Sequence, residues 1–179
     1  AEYIYSDLQV FTDHNYVFLW KDSFRRSFDI TLPESTKIQS KASVLDALAD
    51  LDQPKIVVTY PEAFAERIIQ QEVFQKSKLT FKVGEEVDLD FLIEVLNEYA
   101  FYREDFVYEP GQFSIRGGII DLFSYASELP FRLELDGRTI ESIREFDPIS
   151  QLSTKKLVRA TIVPNVQETA KDEASTDIF

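Results

Sequence analysis

The sequence predicts an α/β protein in two units. A small, truncated α/β layer spans residues 1–77, an α+β unit with an antiparallel sheet packed on a helix spans 78–164, and 165–179 read as a linker or tail. Three observations carry this reading. Short β-branched and aromatic runs alternate with helical faces in the first part. A strict helical period runs from Leu89 to Tyr99. Closely spaced strands punctuated by glycine turns follow it.

In the first unit, "YVFLW" (16–20) and "KIVVTY" (55–60) are apolar runs of the kind that form buried parallel strands. Between them, "SVLDALADL" (43–51) sets Val44, Leu45, Leu48 and Leu51 on one helical face, and Ser43 with Asp46 forms a capping box. Pro61 opens a further helix through "EAFAERIIQ", with Phe64 and Ile68 turned inward.

In the second unit, "KLTFKVG" alternates as a strand, and Asp88 caps the helix "LDFLIEVLNEY", whose Leu89, Leu92, Ile93, Leu96 and Tyr99 share a face. The stretches "DFVYE", "QFSI", "GIIDLF", "PFRLEL" and "TIESIREF" then read as a meander. A last strand, "LVRATIVP" (157–164), closes it.

Charge and motif content limit the function. With 19 basic and 32 acidic residues the net charge is −13, and all three segments are acidic: 12 acids to 8 bases in 1–77, 16 to 10 in 78–164, and 4 to 1 in 165–179. Independent binding to nucleic acid needs a basic surface that releases counterions, so it is disfavoured, although a small local patch is compatible with these totals. There is no cysteine, no phosphate-binding loop, and a single histidine, His14, in a polar stretch that reads as solvated. Adjacent carboxylates such as Glu85/Glu86 and Glu104/Asp105 are too common here to mark catalysis. No catalytic residue, metal site or cofactor is assigned to the chain, and no run spans a membrane. The chain opens on Ala1 and has no methionine, as expected of a piece of a longer protein or of a sequence from which modified methionines have dropped out.

The most specific stretch is "VYEPGQFSIRGGIIDLF" (107–123), which holds three of the five glycines. Gly111 follows Pro110 in a turn, and Gly117–Gly118 form a hairpin turn or bulge that needs positive φ. Alternation puts Phe113 and Ile115 on one face, and Ser114 and Arg116 on the other. Downstream it separates Phe131, Leu133 and Leu135 from Arg132, Glu134 and Asp136. A two-residue turn at Asp136-Gly137 pairs Leu133 with Ile140 and sets Arg132 opposite Glu141. With Arg138 and Arg144, all four bases between 111 and 144 are arginine. Two uses compete for them. They form ordinary pairs, Arg132 with Glu141 and Arg116 with Asp121 or Glu109, or they dock a protein partner through planar, bidentate donors. Burial of Arg116 against internal carboxylates would end the docking reading.

The stretch "DFVYEPGQFSIRGGIIDLFSYASELPFRLELDGRTIESIREFDPISQLS" closely resembles the second subdomain of the N-terminal module of bacterial transcription-repair coupling factors, and more loosely the excision-repair helicase UvrB. The resemblance runs from about Lys78 to Pro164, while "IVVTYPEAFAERI" is similar to a helicase-like subdomain that has lost its ATP site. It implies a non-catalytic, cytoplasmic module that recruits UvrA through the exposed sheet face. The contact arginines fall on Arg116, in the F-x-x-R-G pattern, and on Arg132, with Ser114, Glu134, Asp136 and Arg138 beside them. Where the family often carries two aromatics before the turn glycine this chain has Leu135-Asp136, so the aromatic anchor expected at Asp136 is missing. The resemblance also implies a parent that is an ATP-driven DNA translocase. In that parent, ATP and magnesium, RNA polymerase and DNA are held by other domains, and a C-terminal region occludes the same face. The alternative is a nucleic-acid-binding module assisting that translocase.

Overall fold

The computed structural model describes residues 1–12, 16–21, 34–49, 54–65, 67–169 and 175–177. His14 and Leu51 lie outside the described residues, as does the side chain of Phe64. The α/β class expected from the sequence is what the structure has.

The first unit begins with α1 (Glu2–Phe11), a helix with no buried residue, which the sequence reading did not anticipate. β1 (Val17–Leu19) and β2 (Ile56–Val58) pair in parallel as expected, but β2 is buried only at Val58. Between them α2 runs over Glu34–Ala49, so Ser43 lies inside the helix and caps nothing. The reason is packing. Ile38, Ala42, Leu45 and Ala49 recur at helical spacing against the main core, extending the helix upstream of the apolar run. Val44 turns instead toward Trp20 and Ala63, and Leu48 is exposed. The helix expected from Pro61 stops after one 3-10 segment, Pro61–Ala65. β3 (Arg67–Ile69) follows, as β-branched Ile68 and Ile69 favour, and then α3 (Gln71–Lys76).

In the second unit β4 (Leu79–Lys82) leads to α4 (Leu89–Glu98), where Leu92 and Leu96 face the core and Leu89, Ile93 and Tyr99 pack at its margin. Burying each leucine contributes about 1.5–3 kcal/mol. Asp88 caps the helix as expected, its Oδ1 accepting from the amides of Asp90 and Phe91, each at 3.2 Å. The Phe91 amide, more than any other group, holds the Asp88 carboxyl below its ordinary pKa of 3.8. A depressed carboxyl stabilises the fold above its unfolded pKa, and that contribution is lost as pH falls through the folded one. Asp88→Ala is therefore expected to lower the urea midpoint at neutral pH, and the gap between the two proteins should narrow as pH falls through the lowered pKa of Asp88.

β5 (Tyr102–Arg103), β6 (Gln112–Arg116), β7 (Ile119–Leu122), β8 (Phe131–Asp136), β9 (Thr139–Phe146) and β10 (Ser153–Leu157) form one sheet in the order β10-β9-β8-β7-β6-β5. All neighbours are antiparallel except β5, which runs parallel to β6. "DFVYE" is not a strand. It crosses the sheet as a loop, with Val107 buried beside Phe123 and Phe146. "LVRATIVP" is not one strand either. The chain changes sheets at exposed Val158, so that Leu157 pairs with β9 while β11 (Arg159–Ile162) pairs with β4.

The stretch 165–179, expected as a linker or tail, starts in the core. Asn165 and Val166 are buried ahead of α5 (Val166–Thr169), and β12 (Ser175–Asp177) pairs with β3. Residues of α2, β3, α4, the sheet and α5 share one apolar cluster.

A candidate protein-docking face

The sheet has a core face, carrying Phe113, Ile120, Leu133, Ile140 and Ile143, and an outer face. Both hairpins that shape the outer face turn on two residues whose first is a left-handed glycine, as type II′ geometry asks. Gly117 has φ +60 between Arg116 and Ile119, which pair across the turn. The second turn is Gly137–Arg138, with Asp136 opposite Thr139, and not the expected Asp136-Gly137. A bulge at Glu141 then shifts the register, so Leu133 faces Ile143 and Arg132 faces Arg144 rather than Ile140 and Glu141. The extra residue has a purpose. Ile140 and Ile143 are an odd number of positions apart, and only a bulge lets both enter the core.

Asp121 stands at the centre of the outer face, fully buried within the apolar run of β7. Arg132 grips it with two prongs, Nε to Oδ1 at 2.7 Å and Nη2 to Oδ2 at 2.8 Å. Arg116 adds Nη2 to Oδ2 at 2.6 Å. One carboxylate thus serves two guanidinium groups, so these three side chains together carry one net positive charge.

The two arginines are not equivalent. Arg132 keeps 15% of its side chain exposed, lies 4.5 Å over the Phe146 ring, and donates from Nη1 to the carbonyl of Gln151 at 3.2 Å. The Asp121 hydrogen bond raises its pKa further. Gln151 sits at φ +61 and is pinned by its Nε2 to the carbonyls of Val107 and Pro148, so it ties two loops to Arg132. Arg132 is therefore held from within the protein on three sides, by Asp121, Phe146 and Gln151.

Arg116 keeps 34% of its side chain exposed and lies 4.4 Å over Phe106, with only Nη2 bonded. It lines an open groove of about 410 Å³ with Arg103, Glu104, Asp105, Ser114 and Ile115. The structure therefore gives Arg116 the Asp121 partner foreseen for an ordinary pair, yet leaves its Nε and Nη1 unbonded on a part-exposed side chain.

The remaining expected residues scatter. Ser114 is buried at the wall of that groove, its hydroxyl donating to the Asp105 carbonyl at 2.9 Å. Glu134 accepts from the Ser142 hydroxyl and lies 3.4 Å from Arg144 Nη2. Asp136 is exposed at the hairpin end. Arg138 belongs to the other side of the sheet, where Nη2 bonds Asp88 Oδ2 at 2.9 Å beside the helix cap. Sequence reasoning did not single out Asp121 as the hub, nor Gln151, Phe106 or Phe146. The signal for Asp121 was present: a lone carboxylate inside "GIIDLF" has to find a cationic partner if that strand is buried.

Among the described residues, no helix is long and apolar enough to cross a membrane. Residues 79–167 match the family model described as the UvrB interaction domain. The transcription-repair-coupling factor of Bacillus subtilis (strain 168) is 32% identical over 165 residues, 92% of this chain and 14% of that protein. That of Staphylococcus haemolyticus (strain JCSC1435) is 28% identical over 179 residues, 99% of this chain and 14% of that protein. That of Staphylococcus aureus (strain MRSA252) is 40% identical over 91 residues, 51% of this chain and 8% of that protein. The chain thus spans about 14% of the length of the first two relatives. Through residues 79–167 the chain belongs to the UvrB interaction domain family, and along most of its length it is homologous to transcription-repair-coupling factors.

Proposed function

We propose that this chain is the non-catalytic module with which a transcription-repair-coupling factor recruits UvrA to stalled RNA polymerase in the bacterial cytoplasm. UvrA docks on the outer sheet face at the β6–β7 hairpin, with Arg116 as the contact and Arg132 as the half-buried cation that fixes Asp121 beside it. Asp136, at the end of the neighbouring hairpin, borders the contact. The parent's ATP, magnesium, DNA and polymerase sites lie in other domains, and its C-terminal region covers the same face when the factor is idle.

The observation that carries this reading is the inequality of the two arginines. The Asp121 cluster holds more positive than negative charge, and its more exposed arginine is the one with unbonded donors. A guanidinium held flat by Phe106 and anchored at one nitrogen presents its other edge at little entropic cost. Arginine and aromatic side chains in such positions carry much of the energy of protein interfaces.

A hydrogen-exchange footprint tests it. With UvrA bound, amides of residues 104–110 and of the Gly117–Gly118 turn are expected to exchange more slowly, while those at the start of α4 and at Arg138 stay unchanged. Protection at α4 without the hairpin would move the interface to the opposite side. No protection anywhere would end the UvrA assignment.

A further inference from the structure

The outer face has a second feature, at the opposite end of the sheet from Arg116. β10 is the last strand, and its far edge pairs with nothing among the described residues. Ser153, Thr154, Lys155 and Lys156 are all exposed. An edge of this kind carries a row of backbone N–H and C=O groups ready to accept another strand.

The edge is also positive, against the sign of the whole chain. Lys155, Lys156 and, just past Val158, Arg159 are exposed and make no ion pair among the described residues, although Glu145 stands opposite Lys155 on β9. In register, Arg132, Arg144 and Lys156 stand side by side across β8, β9 and β10. Asp121 and Glu134 are the carboxylates that reach this row, and Asp121 is shared with Arg116. The Nε of Arg144 is buried without a partner. Aliphatic side chains flank the same strand: Ile149, Leu152 and Val158 are 88%, 68% and 80% exposed. A charge of −13 over the chain therefore conceals one cationic, partly apolar strand edge.

We propose that β10 is a docking strand for an extended acidic peptide, which adds to the sheet by main-chain pairing. Its carboxylates meet Lys156 and Arg144 on the outer-face side, and its apolar side chains lie on the other side, along the Lys155 stem and Leu157. A peptide fits better than a nucleic acid. The open groups are main-chain amides at strand spacing, the exposed neighbours are aliphatic and offer no base a stacking platform, and the acidic chain repels a polyanion at a distance. The competing account is that the lysines guard the edge against any pairing. The two accounts give opposite results.

The experiment uses the whole chain and an acetylated, amidated peptide of about six alternating Glu and Val residues, the usual length of a strand. Binding is followed by calorimetry and by amide hydrogen exchange. The expected result is saturable binding with slower exchange at Ser153–Leu157. Lys155→Glu with Lys156→Glu, both at exposed positions, should weaken it at least about tenfold, and so should proline at alternate peptide positions, which removes the main-chain donors without changing the charge. No binding would show that the lysines are guards. Equal binding by the proline peptide would reduce the interaction to nonspecific charge. Tighter binding of an oligothymidylate than of the peptide would make the edge a nucleic-acid site. Each of these three results overturns the proposal.

Discussion

Asp121→Ala is expected to lower the stability of this chain by about 3–5 kcal/mol, the usual cost of removing one partner from a buried ion pair. Asp121 is fully buried and takes three hydrogen bonds from two guanidinium groups. Arg116 can swing into solvent when the carboxylate goes, but Arg132 cannot, because Phe146 lies beneath it and Gln151 holds its far side. The loss is large against the roughly 5–15 kcal/mol that separates folded from unfolded domains, so the urea midpoint should fall steeply. A second variant separates charge from packing. Asp121→Leu combined with Arg132→Met removes both charges and keeps the volume, and should recover most of the loss. If the double variant is as unstable as Asp121→Ala, packing rather than an unpaired cation explains the effect.

Gly111→Ala should cost nearly as much for a different reason. Gly111 has φ +87, where a side chain adds about 1–2 kcal/mol of backbone strain. A Cβ there would also lie 2.1 Å from the Tyr125 hydroxyl oxygen and 2.4 Å from its ring carbon Cζ. Tyr125 cannot retreat cheaply, since its hydroxyl donates to the Ala100 carbonyl at 3.0 Å and its ring packs edge-on against Phe101. Overpacking of this kind adds about 1–3 kcal/mol, for a total of roughly 2–5 kcal/mol. Gly117→Ala is the control. It shares the left-handed backbone, at φ +60, but has nothing within 4 Å of its Cβ, so only the strain should register in a thermal melt. Equal losses in the two variants would mean that the Tyr125 contact is unimportant.

The parts of the fold that could be read ahead of the structure were those governed by local periodicity. The alternation in "QFSIR" and "PFRLEL" put the correct residues on each face, and the run from Leu89 to Tyr99, with its Asp88 cap, gave a helix that packs as expected. The errors share a non-local cause. The β8–β9 register depends on a bulge that exists to bring both Ile140 and Ile143 inward, and a two-residue turn rule has no knowledge of that. "LVRATIVP" looks continuous, but β9 and β4 compete for its two halves. Ser43 resembles a cap only while the upstream turns of α2 lack a visible apolar face, and the core supplies that face through Ile38 and Ala42.

The same division holds at the site. Strand alternation was enough to place Arg116 and Arg132 on the outer face. It could not tell which would be consumed internally, because Phe146 and Gln151, which bury Arg132, arrive from later in the chain. Arg138 lies close to them in sequence, but the turn carries it to the Asp88 side.

The most direct measurement is calorimetric titration of UvrA with this chain, with Arg116→Ala, and with Arg138→Ala. Arg132 still neutralises Asp121 in the first variant, and Arg138 is exposed in the second, so both should fold, as their thermal melts would verify. The outer-face account predicts that Arg116→Ala weakens binding at least about tenfold, or roughly 1.4 kcal/mol, while Arg138→Ala binds like the unaltered chain. Unchanged binding by Arg116→Ala, with loss in Arg138→Ala, would place UvrA on the helix side of the sheet and contradict it.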